Sequence, residues 1–275
     1  MIKKILVALS GTPFTPAAIQ HAANLARIHR AELTGVTIVD PQRIESVGPV
    51  PIGGSSAAHV LVEHRRTITG ERIEEEIERF EKTCRDADLP YTVDRETGDT
   101  LESLTDLWRY HDFTVFGLRS LFEYGVVENP DDEVIKLIAK GVRPLLAVSE
   151  NYRPIRRVLF AYNGSMESAK AMKQFVQLNP WPDIRARVVT FDMDTDTSTP
   201  LLADAAAYLH AHGINAETES MPDSPVDGLL PHAEDWESDL VVMGSTARHK
   251  IFRLILGDTA LHAMQHSTLP LFLSQ

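Results

Sequence analysis

Eleven histidines and one cysteine are the residues of this chain best suited to metal binding or nucleophilic catalysis. No pair of histidines has a recognisable metal-ligand spacing with carboxylates, so we expect the histidines to be scattered over helices and loops. Cys84 stands alone, which excludes an intrachain disulfide and a thiolate metal cluster. It continues a helical spacing of apolar residues that begins at Ile73, so we predict that Cys84 is a packing residue.

The sequence also lacks the motifs by which common catalytic sites are recognised. It contains no Gly-Lys-Thr phosphate loop and no Gly-x-Ser-x-Gly nucleophile elbow. No nucleophile has a suitable general base near it in the sequence. We therefore predict that the chain is not an enzyme.

The composition indicates a folded chain without affinity for nucleic acid or membranes. Hydrophobic residues make up 43% of the 275 residues, which is enough for packed cores. The formal net charge is −12, whereas phosphate backbones and anionic lipids attract clustered lysine and arginine. No run of about 18 apolar residues is present, and the apolar start lacks a small-residue cleavage site. We expect a cytoplasmic protein that binds neither nucleic acid nor membrane.

A repeat divides the chain into two similar halves. Three landmarks recur in the same order: a basic residue with an apolar run, a polar residue, glycine and a hydroxyl residue; an aspartate with a mostly apolar run ending in glycine; and proline with a short apolar run. They lie at 4–12, 112–117 and 144–148, and again at 157–165, 239–244 and 270–273. The repeat predicts two tandem domains, at 1–150 and 155–275.

Strand-like and helix-like segments alternate between these landmarks in both halves. Continuous apolar runs are typical of strands buried on both faces of a parallel sheet. The alternation predicts an α/β fold of two doubly wound domains, each with a five-stranded, mostly parallel sheet flanked by helices. Thr12 or Thr15, and Ser165 or Ser168, are the predicted N-caps of the first helix in each half.

Two polar segments are predicted to be loops. Residues 41–59 are rich in proline and glycine, and we expect a mobile insert there. Residues 192–199 are polar and acidic, and we interpret them as a shorter counterpart. The helix after this second loop is predicted at Leu201 to His212.

In the second half the strand at 240–244 leads into Gly244-Ser245-Thr246-Ala247, nine residues follow, and then Gly257-Asp258-Thr259. This pattern resembles that of the universal stress protein family. Members of that family open on an apolar strand ending in Asp-Gly-Ser, and later carry Gly-x-x-Gly, nine residues, and glycine followed by serine or threonine. The resemblance covers nearly the whole chain as two copies, and it implies an adenine-nucleotide-alpha-hydrolase-like fold.

The resemblance implies a nucleotide site at the carboxyl ends of the strands. Glycines there let backbone amides approach phosphates, and the last glycine begins a helix whose free amides favour an anion. Carried over position by position, the implied site consists of Asn163, Gly164, Phe191, Gly244, Ser245, Ala247, Arg248, Gly257, Asp258 and Thr259. Phe191 falls near the end of the second strand, where the family holds adenine through its backbone.

Three substitutions in the second half depart from the family pattern. Asn163 replaces the aspartate and still forms hydrogen bonds, and Ala247 adds a methyl group where close approach is wanted. Asp258 replaces serine or threonine; it would face phosphate with like charge, and we predict that it caps the final helix. Residues 248–250, Arg-His-Lys, offset this negative charge if they reach the phosphates; otherwise they form a solvated basic edge.

The first half departs further from the pattern. Ser10 replaces the aspartate, Gly117 is kept, and Ser120 stands where the second glycine belongs. Pro130 and Asp131 replace the last glycine and its hydroxyl partner, and proline has no amide to donate. The resemblance therefore implies a degenerate site in the first half and a partly retained one in the second.

By this resemblance the chain is a tandem universal stress protein that senses or scaffolds in stress responses without catalysis. The ligand implied is ATP, ADP or AMP, with Mg²⁺ accompanying the nucleotide. The family also implies that the two closing strands pair antiparallel, which makes an intramolecular pseudo-dimer, and the tandem chain could itself form a homodimer. The alternatives are a slow ATP hydrolase and a nucleotide-free module that binds proteins or another small ligand.

Overall fold

The chain folds around one mixed sheet to which both halves contribute. The computed structural model describes residues 1–45, 54–118, 122, 137, 144–245, 248–250, 253–255 and 257–274; for residues 43, 248–250 and 253–255 it describes the backbone alone. The strands are β1 (Lys4–Ala8), β2 (Glu32–Val39), β3 (Tyr91–Thr97), β4 (Phe113–Gly117), β5 (Leu145–Val148), β6 (Arg157–Ala161), β7 (Arg185–Phe191), β8 (Ala216–Met221), β9 (Leu240–Gly244), β10 (Arg248–Lys250), β11 (Arg253–Ile255) and β12 (Leu271–Ser274).

Helices lie between the strands in both halves. They are α1 (Thr15–His29), α2 (Pro41–Glu45), α3 (Ser55–Asp86), α4 (Thr100–Trp108), α5 (Met166–Leu178), α6 (Thr195–Ala211), α7 (Pro225–Asp235) and α8 (Asp258–His266). None of the described helices combines the length and apolarity that crossing a lipid bilayer requires.

The ten-stranded sheet has the order β3-β2-β1-β4-β5-β12-β9-β6-β7-β8. Within each half the pairs are parallel, as the alternation of strands and helices predicted. The halves meet where β5 pairs antiparallel with β12, in the register Leu271↔Ala147, Phe272↔Leu146 and Leu273↔Leu145. This confirms the predicted pairing of the closing strands, whose residues are all buried.

Two segments predicted as loops are partly helical. Residues 41–45 form α2, and α3 begins at Ser55, inside the predicted loop; residues 46–53 lie outside the described part. The first turns of α3 are largely exposed, with Val60 at 65%, so they carry no apolar stripe from which a helix could be predicted. An exposed ion pair between Glu63 and Arg66, at 3.0 Å, is one local contact along them.

The predicted loop at 192–199 also contains the start of a helix. Asp194 is the N-cap of α6, and its side chain accepts a hydrogen bond from the amide of Thr197 at 2.9 Å. Pro200 lies inside the helix, in the second turn, although proline ordinarily marks a helix start or break. The prediction placed the start at Leu201 because it gave Pro200 more weight than the capping aspartate.

Aromatic side chains fill the core across the seam, the name we give to the β5–β12 pair. Phe272 is fully buried, and its ring centroid lies 6.0 Å from that of Phe113 in the first half and 5.3 Å from that of Phe175 in α5. On the α1 side, Nε2 of His29 lies 3.0 Å from the carbonyl oxygen of Pro180. Side chains of both halves therefore share one hydrophobic core.

Replacing Phe272 by alanine tests the contribution of the seam. We expect Phe272→Ala to lower the free energy of unfolding by about 3–5 kcal/mol, because it removes a buried ring that contacts both halves. Urea denaturation followed by circular dichroism measures the change. Val60→Ala, at an exposed position, should change it by less than about 0.5 kcal/mol. A loss for Phe272→Ala below about 1 kcal/mol would show that the seam contributes little.

His21 is a buried histidine in α1 beside the segment that links the halves. Its side chain is 1% exposed, and its ring centroid lies 4.7 Å from that of Tyr152. Nε2 has no hydrogen-bond partner among the described residues. Burial lowers the pKa of His21 to about 4, because the protonated imidazole would lose its hydration.

The stability of the fold should therefore fall as the pH drops from about 6.5 to about 4. Below about pH 6.5 the unfolded chain binds a proton at His21 and the native chain does not, so protonation favours the unfolded state. Above that pH His21 is neutral in both states, and the native state keeps its full stability. Up to about 3 kcal/mol is lost across this window. His21→Leu should show a flatter urea midpoint between pH 7 and 4.5, whereas exposed His59→Gln should follow the wild type. Equal losses in wild type and His21→Leu would contradict the assignment.

Candidate functional site

A cavity opens at the carboxyl ends of the strands in the second half. Its volume is about 450 Å³, within the usual range of small-ligand sites. The strands β6, β7 and β9 end at its wall, and the first residues of α5 and α8 complete it. Its lining residues are Ala161, Tyr162, Asn163, Ser165, Glu167, Ser168, Val189, Thr190, Phe191, Asp192, Met193, Pro225, Met243, Gly244, Gly257, Asp258, Thr259 and Ala260.

A hydrogen-bond network fixes the turn from β6 into α5. Ser165 is the N-cap, as predicted, and its hydroxyl accepts from the amide of Ser168 at 3.2 Å. Oδ1 of Asn163 accepts from the amide of Ser165 at 3.1 Å and from the hydroxyl of Ser168 at 3.0 Å. The carbonyl of the Asn163 amide is therefore engaged locally, and its NH₂ group is the part suited to donate to a ligand.

Gly244 lets β9 approach the start of α5 without a side chain between them. A Cβ built on Gly244 would lie 2.5 Å from the backbone carbonyl carbon of Glu167 and 2.6 Å from the backbone nitrogen of Ser168. Backbone atoms cannot give way as a flexible side chain can, so this position has no room for a larger residue. The close packing of β9 on α5 is therefore sufficient to require glycine at position 244, whether or not a ligand binds there.

The start of α8 presents backbone amides that no side chain caps. Its N-cap residue is Gly257, and no side-chain cap hydrogen bond is formed. The prediction that Asp258 caps this helix is therefore wrong: Asp258 is the first residue of the helix and its side chain is exposed. An N-cap needs extended backbone, which Gly257 supplies with φ −58° and ψ 145°. The free amides at this terminus are suited to bind an anion.

The opposite end of the cavity is apolar and ends at Phe191. The Phe191 side chain is 8% exposed and meets the ring of His232 edge to face, with centroids 6.2 Å apart. The next residue, Asp192, has a positive φ of 49°, which turns the chain sharply after β7, and its amide donates to the carbonyl of Met221 at 3.0 Å. Val189, Met193 and other apolar residues continue this wall.

The described wall of the cavity carries negative charge. Glu167, Asp192 and Asp258 line it, and no described lysine, arginine or histidine does. Partial burial, together with the nearby Asp204 carboxylate, raises the pKa of Tyr162 above its usual range, so this phenol stays neutral and can donate a hydrogen bond. Within the described part of the chain, no group of three or more histidine, cysteine or acidic side chains is arranged to hold a metal ion.

The structure brings together six of the residues predicted for the site: Asn163, Phe191, Gly244, Gly257, Asp258 and Thr259. Gly164 and Ser245 lie beside the cavity rather than in its lining. Gly164 supplies a positive φ of 76° for the turn, and Ser245 is buried, with its hydroxyl donating to the carbonyl of Ser274 at 3.3 Å. Ala247 is outside the described residues, and only the backbone of Arg248 is described, in β10.

Sequence reasoning missed much of the wall. Tyr162, Glu167, Ser168, Val189, Thr190, Asp192, Met193 and Pro225 line the cavity without having been predicted. Their place in the sequence could have predicted them. Nearly all of them end a strand or begin the following helix, and ligands of open α/β sheets bind at that edge.

At the corresponding strand ends of the first half, the described side chains are buried against one another. Ser10, at the position of Asn163, is fully buried, and its hydroxyl lies 3.2 Å from those of both Thr12 and Thr15. Phe14, at the position of Glu167, is 8% exposed, and a Cβ on Gly117 would lie 2.5 Å from its Cβ. The predicted caps Thr12 and Thr15 are wrong as caps, because α1 begins at Thr15 behind Phe14 and has no side-chain cap. Ser120, Pro130 and Asp131 lie outside the described residues.

Comparison with known proteins places the chain in one family. A universal stress protein from Synechocystis, Slr1230, is 23% identical to it over 98% of both chains. A universal stress protein structure from Archaeoglobus fulgidus covers 99% of this chain and 96% of its own, with 14% identity and a TM-score of 0.72. A universal stress protein in complex with cAMP matches 44% of this chain and 97% of its own, with 20% identity and a TM-score of 0.37.

The sequence model of the universal stress protein family matches residues 1–100 of this chain and again residues 154–274. These two segments cover most of the chain; the first includes β1 to β3 and the second includes β6 to β12. The chain belongs to the universal stress protein family, in a tandem arrangement.

Proposed function

We propose that the second half, residues 155–275, binds one adenine nucleotide, and that the first half, residues 1–150, binds none. On this proposal the chain is a non-catalytic protein of the stress response whose state follows nucleotide binding. The observation that supports it most directly is a cavity with an apolar aromatic end at Phe191 and an uncapped helix terminus at Gly257.

The two ends of the cavity suit the two ends of a nucleotide. A purine base is flat and apolar on its faces, and packs well against an aromatic ring and aliphatic side chains. A phosphate accepts hydrogen bonds from amides at the start of α8, where the helix dipole also favours negative charge. Between them, the NH₂ group of Asn163 and the hydroxyls of Ser165 and Thr259 are suited to ribose.

The acidic wall limits how much charge the site accepts without help. Mg²⁺ prefers oxygen ligands and usually arrives with nucleotide phosphates. On this proposal, carboxylates such as Asp258 and Glu167 would face the metal-bound phosphates rather than bare ones. The residues of β10 offer a second source of positive charge, since their sequence is Arg-His-Lys.

Catalysis is not part of the proposal. Hydrolysis of a phosphoanhydride needs a group that positions or deprotonates water next to the phosphorus atom. The described carboxylates at the phosphate end stand beside an exposed helix start, without a partner that would orient them. Measurable turnover of ATP by the purified chain would favour the alternative of a slow ATP hydrolase.

Calorimetric titration should find one nucleotide per chain. The first half buries Ser10 and Phe14 where the second half presents Asn163 and Glu167 to the cavity, so we expect a stoichiometry of one for ATP or AMP. Mass spectrometry of small molecules released on denaturation provides an independent count. Two equivalent sites per chain would contradict the closed first half, and no binding at all would contradict the proposed function.

Replacing Asp258 by serine should tighten binding in proportion to the charge of the ligand. Removing one like charge about 4 Å from a phosphate in a solvated site is worth about 1 kcal/mol, or somewhat less than tenfold in Kd. We expect the gain to be largest for ATP, smaller for AMP and absent for adenosine, in titrations without Mg²⁺ at fixed ionic strength, where the phosphates are bare.

Asp196→Ser is the matched control, because Asp196 is also an acidic residue in a first helical turn, in α6, and does not line the cavity. Both substitutions remove a favourable interaction with a helix dipole, of about 0.3–1 kcal/mol. The control should leave every affinity unchanged. If Asp258→Ser weakens ATP binding, the carboxylate acts through a metal instead of repelling phosphate.

A further inference from the structure

The ring of Phe191 is held from behind by α7. A Cβ built on Gly228 would lie 2.8 Å from Cε1 and 3.0 Å from Cδ1 of Phe191. One turn further along α7 lies His232, which is buried and whose ring stands at 85° to that of Phe191. Two successive turns of the helix therefore form the seat of this ring.

Gly228 is an unusual residue for its place in the fold. It lies inside α7, where glycine is a poor helix former because it loses more backbone entropy than alanine does. The contact with Phe191 explains it, since any side chain would occupy space that the ring now fills. The other close neighbour of the missing Cβ is the Cβ of Asp223, at 3.0 Å, and Asp223 belongs to an exposed loop that can shift outward.

We propose that Gly228 is a specificity-determining position; this rests on the proposed function. Because Gly228 has no side chain, the Phe191 ring lies back against α7, and this fixes the depth of the cavity that is available to the base. With α7 behind the ring and the cavity in front, a side chain at position 228 moves the ring into the cavity. The ligand class that the seat selects is a flat aromatic heterocycle as large as a purine.

Gly228→Ala tests the proposal at the base end alone. We expect it to weaken the binding of adenosine and AMP by the same factor, about tenfold, because one methylene of lost space in an apolar pocket has an effect of that order. The factor is equal because the phosphate contacts at α8 lie at the other end. The thermal midpoint should stay close to that of the wild type, because the better helix propensity of alanine offsets the cost of displacing the ring.

Gly70→Ala is the matched control. Gly70 also lies inside a helix, α3, but a Cβ on it would meet nothing within 4 Å. This variant should gain helix stability in the same way and bind adenosine and AMP as the wild type does. A loss of affinity in Gly70→Ala would show that changes in helix stability, rather than the seat of Phe191, set the affinity, and would overturn the proposal.

The double variant Gly228→Ala with Phe191→Leu distinguishes displacement of the Phe191 ring from a general disruption of the fold. Leucine is smaller than phenylalanine and leaves room for the new methyl group, so most of the lost affinity should return. Wild-type affinity in Gly228→Ala, or no recovery in the double variant, overturns the proposal while the proposed function stands. A wild-type chain that binds neither adenosine nor AMP overturns the proposed function, and this inference with it.

Discussion

The antiparallel pairing of β5 with β12 is the contact on which the rest of the molecule depends. Each of these strands is the last of its half and would otherwise be a bare, largely apolar sheet edge, which is a template for aggregation. By pairing with each other they join two five-stranded arrays into one ten-stranded sheet. The two edge strands of the ten-stranded sheet are β3 and β8. Both combine exposed polar residues with half-buried ones, so they are suited to face solvent.

The same pairing places the two halves in equivalent orientations around the seam, yet their strand ends differ. Where the second half turns from β6 into α5 through Asn163 and Glu167, the first half uses Ser10 and Phe14. Exchanging a charged residue for a phenylalanine converts a hydrated wall into a packed one, because the ring is buried against Gly117. This position is therefore one described difference between the strand ends of the two halves.

The sequence predicted best what depends on long apolar runs. The strands at 4–8, 113–117 and 240–244 followed from such runs and from the repeat, whereas the seam pairing was implied by the resemblance to the universal stress protein family. The exposed start of α3 was missed because a helix without a buried face leaves no periodic pattern. The N-terminus of α8 was assigned to Asp258 because aspartate is a common cap. In the fold, the chain enters the helix one residue earlier, through extended backbone at Gly257.

Part of the site could not have been predicted from local pattern. The burial of Phe14 depends on its packing against Gly117, about a hundred positions away, and the seat of Phe191 depends on Gly228 in another helix. Such pairs carry no signal of helical or strand period, because each residue satisfies its own element and the contact is made only in the folded chain. The six predicted residues that do line the cavity were implied by the family resemblance, which rests on glycine spacing and strand ends, and these are local features of the sequence.

The uncapped start of α8 connects the site to the seam. This helix of nine residues is followed, after four residues, by β12, so its order and that of the closing strand are coupled through a short connection. Its N-cap residue, Gly257, forms no side-chain cap hydrogen bond, and amides without acceptors at a helix start make the first turn easy to fray. An anion bound there supplies the missing acceptors and stabilises the native state in proportion to RT ln(1 + [L]/Kd). On the proposed function, a nucleotide bound in the second half would therefore also stabilise β12, the strand that joins the two halves.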